Sequence, residues 1–172
     1  MTVRLDNPFL RAELDVSING AAATTYFAHV QFLVCERWCK QDVGAVGGGH
    51  ADLVAIKIGE GGWVEASGGL KVRREPEPEL EDLDCVENPD RYPGSVNTFS
   101  KSLSSKTYVA DRIAQAEVTI LTSEANNPAG PAYEYWEVGL FDKAGALVAY
   151  ATIDKLTKTS SEEVELVFRI YR

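Results

Sequence analysis

The residues whose types could carry chemistry are three cysteines, two histidines and a dense run of carboxylates. Cys35 and Cys39 stand one helical turn apart in Cys35-Glu36-Arg37-Trp38-Cys39. A zinc site would need two further ligands, and zinc pairs are usually closer in sequence. Cys85, His29 and His50 could be offered, but their spacing matches no zinc cassette. The residues therefore predict no metal and no cofactor, and the thiols read as core or half-buried side chains. The stretch Met1–Asn7 carries Arg4 and Asp6 and has no apolar h-region, so it predicts no secretory signal and a chain made in the cytoplasm. With an odd number of cysteines in such a chain, free thiols are the expectation. An intersubunit disulfide formed after release from the cell is the alternative.

The carboxylates gather in one place. Glu75, Glu77, Glu79, Glu81, Asp82, Asp84, Glu87 and Asp90 follow one another without an intervening base. They supply −8 of the net charge of −9, which leaves −1 for the rest of the chain. Pro76, Pro78, Pro89 and Pro93 hold this segment extended and exclude regular helix or central strand. The EF-hand pattern is absent, so a solvated loop that adds little to folding is expected. Nothing there implies a perturbed pKa, and no serine sits in a nucleophile elbow. These features predict no enzyme. Gly47-Gly48-Gly49 and Gly59-Glu60-Gly61-Gly62 match neither the dinucleotide fingerprint nor the P-loop, and read as turns or close backbone approaches. The near-neutral remainder predicts no basic groove for nucleic acid. No stretch approaches the roughly 18 apolar residues of a membrane span.

The elements that must position these residues follow from periodicity. Ala12 to Ile18 alternates strictly and ends at Asn19-Gly20, a strand and turn within an extended N-terminal arm, residues 1–20. Tyr26, Val30, Leu33, Val34 and Trp38 recur at three- and four-residue steps and predict a helix over 21–42. Leu53 to Ile58 is a short strand, and residues 72–104 read as a long irregular excursion of the kind that often contacts a neighbour. Tyr108 to Thr122, Tyr133 to Phe141 and Ala146 to Ile153 read as strands, with Asp142-Lys143-Ala144-Gly145 as the turn joining the last two. In the closing strand Val164, Leu166, Phe168 and Ile170 face one way, and Glu165, Val167 and Arg169 the other. The pattern gives an α+β domain over 21–172: an N-terminal helix packed on a mostly β, antiparallel, sandwich-like body.

The run from Glu137 to Tyr150, Glu-Val-Gly-Leu-Phe-Asp-Lys-Ala-Gly-Ala-Leu-Val-Ala-Tyr, resembles a hairpin in the N-terminal attachment domains of tail-fibre, tail-collar and baseplate proteins of contractile-tailed bacteriophages. There an E-[IV]-G-[LV]-[FY]-D strand meets a D-x-x-G turn, a G-x-L-[IV]-A strand follows, and an apolar strand closes the domain, as Val164 to Tyr171 does here. The upstream likeness is one of order: helix, strand, glycine-rich turn, variable loop, long strand. The resemblance implies a virion structural protein, made in the host cytoplasm and residing in the particle, that docks tail, baseplate, fibre or collar subunits and forms homo-oligomers. A small baseplate, collar or adaptor subunit fits the chain length better than a fibre.

The hairpin residues Glu137, Gly139, Phe141, Asp142 and Gly145 carry that likeness. Tyr133, Tyr135, Trp136, Trp63 and Tyr92 are the aromatic interface candidates. The rival expectation is a carbohydrate- or receptor-binding β-sandwich module, with exposed Trp63, Tyr92 or Trp136 as the sugar platform.

Overall fold

Alternation of apolar residues builds the body, because successive side chains of a strand point to opposite faces. The computed structural model describes residues 11–30, 53–77, 79–94, 96–109 and 113–171. It is mostly β and antiparallel. The strands are β1 (Arg11–Ile18), β2 (Thr24–Val30), β3 (Leu53–Gly59), β4 (Trp63–Glu65), β5 (Lys71–Arg73), β6 (Thr98–Ser102), β7 (Ser105–Val109), β8 (Ile113–Ile120), β9 (Tyr133–Asp142), β10 (Leu147–Lys158) and β11 (Val164–Tyr171). Nine of them form one sheet in the order β6-β3-β9-β10-β2-β1-β11-β8-β7, and β4 and β5 form a separate ribbon.

This sheet is curled, and two segments turn its corners. The first half of β2 pairs with β1, Ala28 opposite Ala12, while its last two residues pair with β10, His29 opposite Tyr150. At the other corner β6 pairs with β3 and β7 with β8. The two residues between them donate to opposite halves: Leu103 N–H to Val54 O at 2.9 Å, and Ser104 N–H to Glu117 O at 2.8 Å. The halves enclose one core, to which Leu14, Tyr26, Ile56, Val118, Leu140 and Phe168 all contribute. In β11 Val164, Leu166, Phe168 and Ile170 are buried on the face its period assigns, and Val167 is buried on the other face.

Three expectations are corrected. Thr24–Val30, the start of the predicted helix, is a strand. Tyr26 and Val30 stand four apart, which suits a period of two as well as one of 3.6, and the run is rich in β-branched and aromatic residues. The remainder of that helix, with Cys35, Cys39 and the neighbouring His50, lies outside the described residues. Arg11–Ile18 is no separate arm: it runs between β2 and β11, from Arg11 opposite Tyr171 to Ile18 opposite Val164. Of the expected long strand 108–122, Ile113–Ile120 forms β8 with the expected alternation, but Tyr108 and Val109 end β7, which pairs antiparallel with β8, Val109 opposite Ile113.

The two turns that rest on local chemistry form where expected. Asn19 and Gly20 both adopt positive φ, 51° and 71°, and the turn closes with the Ala21 N–H donating to Ile18 O at 3.0 Å. Asp142 Oδ1 accepts the N–H groups of Ala144 and Ala146, each at 2.9 Å, and Gly145 takes φ 82°.

Candidate functional site

Strand β9 is buried on both faces, which one curled sheet cannot achieve alone. Its inner face, with Val138 and Leu140, belongs to the main core. Its outer face, with Phe141, joins Leu147 and Tyr150 of β10 beneath a second apolar layer. The acidic segment supplies that layer. Leu80, Leu83, Cys85 and Tyr92 are buried against the hairpin, and Trp63 and Val96 pack at the margin. The expectation of a solvated, irregular excursion over 72–104 is therefore corrected. Lys71–Arg73 and Thr98–Ser102 are strands, and between them the chain forms a strap across the sheet. Within the strap, Asp84–Glu87 make one helical turn and Pro89–Arg91 a 3-10 turn. Glu75, Glu79, Glu81, Glu87 and Asp90 stand exposed on the outer side of the strap, while Leu80 and Leu83 point inward and Asp84 is buried with them.

One carboxylate fastens the strap. Glu137, fully buried in the middle of β9, accepts the N–H of Asp84 at 2.7 Å, of Cys85 at 3.1 Å and of Gly61 at 3.1 Å. It also accepts the hydroxyl of Tyr150 at 2.7 Å and the Cys85 thiol. Two of these amides open the helical turn, where unpaired N–H groups favour a negative charge. A second buried carboxylate, Asp84, ties the strap to itself. Its oxygens accept from Asn88 Nδ2 at 2.7 Å, Arg91 Nη1 at 2.8 Å and the Tyr92 hydroxyl. The Arg74 guanidinium lies 3.8 Å away. The Tyr92 oxygen in turn accepts the N–H of Gly62 at 2.8 Å. Arg91 continues to Glu77 at 2.7 Å, and Lys57 reaches Asp82 at 3.6 Å from above the Phe141 ring.

Electrostatics follow from burial. Desolvation pushes the Glu137 carboxyl above its ordinary value, against the pull of the thiol, phenol and amides that donate to it. Burial also pushes the Cys85 thiol up, and the adjacent Glu137 charge adds to this. The Tyr150 and Tyr92 phenols rise for the same reasons, with Glu137 and Asp84 as their respective charges. The thiol and both phenols thus keep their protons and serve as donors. Every group that faces Glu137 donates, so the arrangement acts as a clamp.

The glycine-rich turn belongs to the clamp. A Cβ on Gly61 would stand 2.5 Å from Glu137 Oε1 and 2.7 Å from the backbone N of Cys85. A Cβ on Gly139 would stand 2.8 Å from Leu147 Cδ1 and from Phe141 Cε2, and 3.1 Å from Leu83 Cδ2. The close approach expected at the glycine-rich turn, and a second one at Gly139, are where strap and hairpin meet.

The aromatic candidates divide. Tyr135, Trp136 and Tyr92 are buried within this chain, and Tyr135 donates to Ala125 O at 3.1 Å. Trp63 and Tyr133 are half-buried, and Lys71 lies 4.3 Å over the Trp63 ring. Large exposed apolar side chains stand elsewhere, at Phe27, Leu70, Val72 and Val86. Among the described residues no group of three His, Cys, Asp or Glu side chains gathers as a metal site, and no helix is long and apolar enough to cross a membrane.

Sequence reasoning missed the strap. Two signals could have found it: Leu80, Leu83 and Tyr92 set among the acids, and Glu137 set among Trp136, Val138 and Leu140 in a strand too apolar to be one-sided. Comparisons with protein-family models, curated proteins and solved structures find no match.

Proposed function

We propose that this chain is a structural subunit of a bacteriophage tail, baseplate, fibre or collar, and that it docks other virion proteins. The observation that carries this reading is the hairpin of β9 and β10. The run from Glu137 to Tyr150 that resembles the attachment domains is also the run around which the second core and the clamp are built. A docking subunit needs a rigid body of this kind, since ordered surfaces lose less entropy on association. In this reading the protein resides in the virion, repeats about the tail axis as a homo-oligomer, and carries no catalytic group.

The test is the protein composition of tailed particles purified on a density gradient from the host that carries this gene. The chain should be present at a fixed stoichiometry relative to the tail proteins. Its absence from particles, with the chain left in the soluble lysate, contradicts the proposal. The carbohydrate-binding rival requires exposed rings. With Tyr92 and Trp136 buried and Lys71 over Trp63, no observation favours it, and a glycan array that captures the chain would revive it.

A further inference from the structure

Away from the clamp, one nucleophilic side chain is buried beside an electrophile. Lys158, the last residue of β10, is fully buried although lysine is among the residues least often found so. Its Nζ lies 2.9 Å from Oδ1 of Asn126 and 2.8 Å from Thr159 O, with a looser contact of 3.5 Å to Thr122 O. Asn126 sits in the loop between β8 and β9, and its amide is held at both ends. Oδ1 faces Lys158, and Nδ2 donates to Thr122 O at 2.6 Å. Two carboxylates, Glu124 and Glu162, act on the Lys158 charge. Glu162 accepts the N–H of Thr159 at 2.6 Å, and Glu124 accepts that of Leu121 at 2.9 Å.

We propose that Lys158 and Asn126 join in an intramolecular amide bond between Nζ and Cγ. Three features favour the reaction. Burial weakens the hold of Lys158 on its third proton, so less energy is needed to free the amine lone pair. The amine and the amide are already in contact, which removes the entropy of bringing them together. The charges of Glu162 and Glu124 both act on Lys158, and either carboxylate can serve as the proton acceptor.

The step balances within the chain. One proton passes from the Lys158 ammonium to Glu162 or Glu124, the carboxylates whose charges act on it, and the freed Nζ attacks Cγ of Asn126. The Nζ–Cγ bond forms and the Cγ–Nδ2 bond breaks. Nδ2 departs as ammonia with a second proton from Nζ, and the proton held by the carboxylate leaves with it as ammonium. The charge that entered on lysine thus leaves on ammonium, and no oxidant is needed. The bond would tie the β8–β9 loop to the end of β10, across positions where the ladder between β9 and β10 ends at Lys158 opposite Tyr133.

Mass spectrometry of the denatured full chain tests this directly. The expected mass is that of the sequence less one ammonia, and a tryptic digest should contain a branched peptide joining the Asn126 and Lys158 fragments. Lys158→Arg and Asn126→Ala should each restore the full mass, and Asn126→Asp should lose one water in place of ammonia. A wild-type chain at its full sequence mass overturns the proposal. So does an ammonia deficit that survives Lys158→Arg, since that loss would lie at another residue.

Discussion

A carboxylate with no exposure to water, in the interior of a strand, must find donors for its lone pairs or shed its charge. Glu137 finds backbone donors in a segment more than fifty positions away, and that segment is ordered by the contact. Glu137→Gln tests this with little change of shape. Whichever way the new amide turns, its NH2 group faces a backbone N–H that Glu137 now satisfies. The expected cost is about 1–3 kcal/mol in urea unfolding, and hydrogen exchange at Asp84 and Cys85 should quicken. Unchanged exchange there would mean that the strap is held by its apolar contacts alone. Cys85 offers a second test at the same scale. Its thiol is buried, its pKa is raised, and it donates to Glu137, whereas the reactive species is the thiolate. Peptide mapping after iodoacetamide treatment of the native protein should find Cys85 unmodified, with alkylation appearing after denaturation. Rapid native labelling would show that the strap opens. The existence of this site was legible in part. Glu137 and Gly139 stood out as motif residues and the glycine turn as a close approach, but their partners did not. The partners are backbone amides, which any residue type supplies and no sequence pattern marks.

At the level of elements, what the sequence made legible follows the range of the interactions that decide each one. Asn19-Gly20 and Asp142 to Gly145 read correctly because a turn is fixed by residues within it. The strands β1, β3, β9 and β11 read correctly because alternation is local. β2 was misread because Tyr26 and Val30 fit either period. The strap was misread because its charge outweighed its few apolar residues, although those residues decide where it lies. Deleting Glu75 to Asp90 behind a short Gly-Ser bridge should therefore abolish cooperative unfolding. It would strip Leu80, Leu83 and Cys85 from Phe141, Leu147 and Tyr150. The milder Leu83→Ala should cost about 2–5 kcal/mol in a urea titration. A deletion variant that melts like the intact chain would restore the solvated-loop expectation. In β11, Phe168→Ala should cost about 3–5 kcal/mol, since its ring is fully buried in the main core. Arg169, on the opposite face, bonds to Gln115 at 3.0 Å and pairs with Asp15 of β1. Arg169→Ala should cost no more than about 1 kcal/mol. The reverse ranking would place β11 one residue out of register.

The whole molecule is a curled antiparallel sheet whose ends are brought together. Arg11 stands opposite Tyr171, so both ends of the described chain leave from one place, and β2 and the β6–β7 segment turn the corners. This closure was not legible, because it depends on which distant strands pair and no local pattern sets that choice. It matters for function, since turning both corners of the sheet leaves fewer open strand edges for indiscriminate pairing. The charge is unevenly placed as well: the strap that covers the β9–β10 hairpin carries most of the excess acid. Crosslinking mass spectrometry on intact purified particles tests the docking claim most directly. Lys57, Lys71, Lys106 and Lys155 lie on different strands of the body and provide the reactive amines. Crosslinks from one or more of these lysines to a tail, baseplate, fibre or collar protein are predicted, together with crosslinks between copies of this chain. Particles that contain no copy, or in which the chain links to no other virion protein, would contradict a docking role.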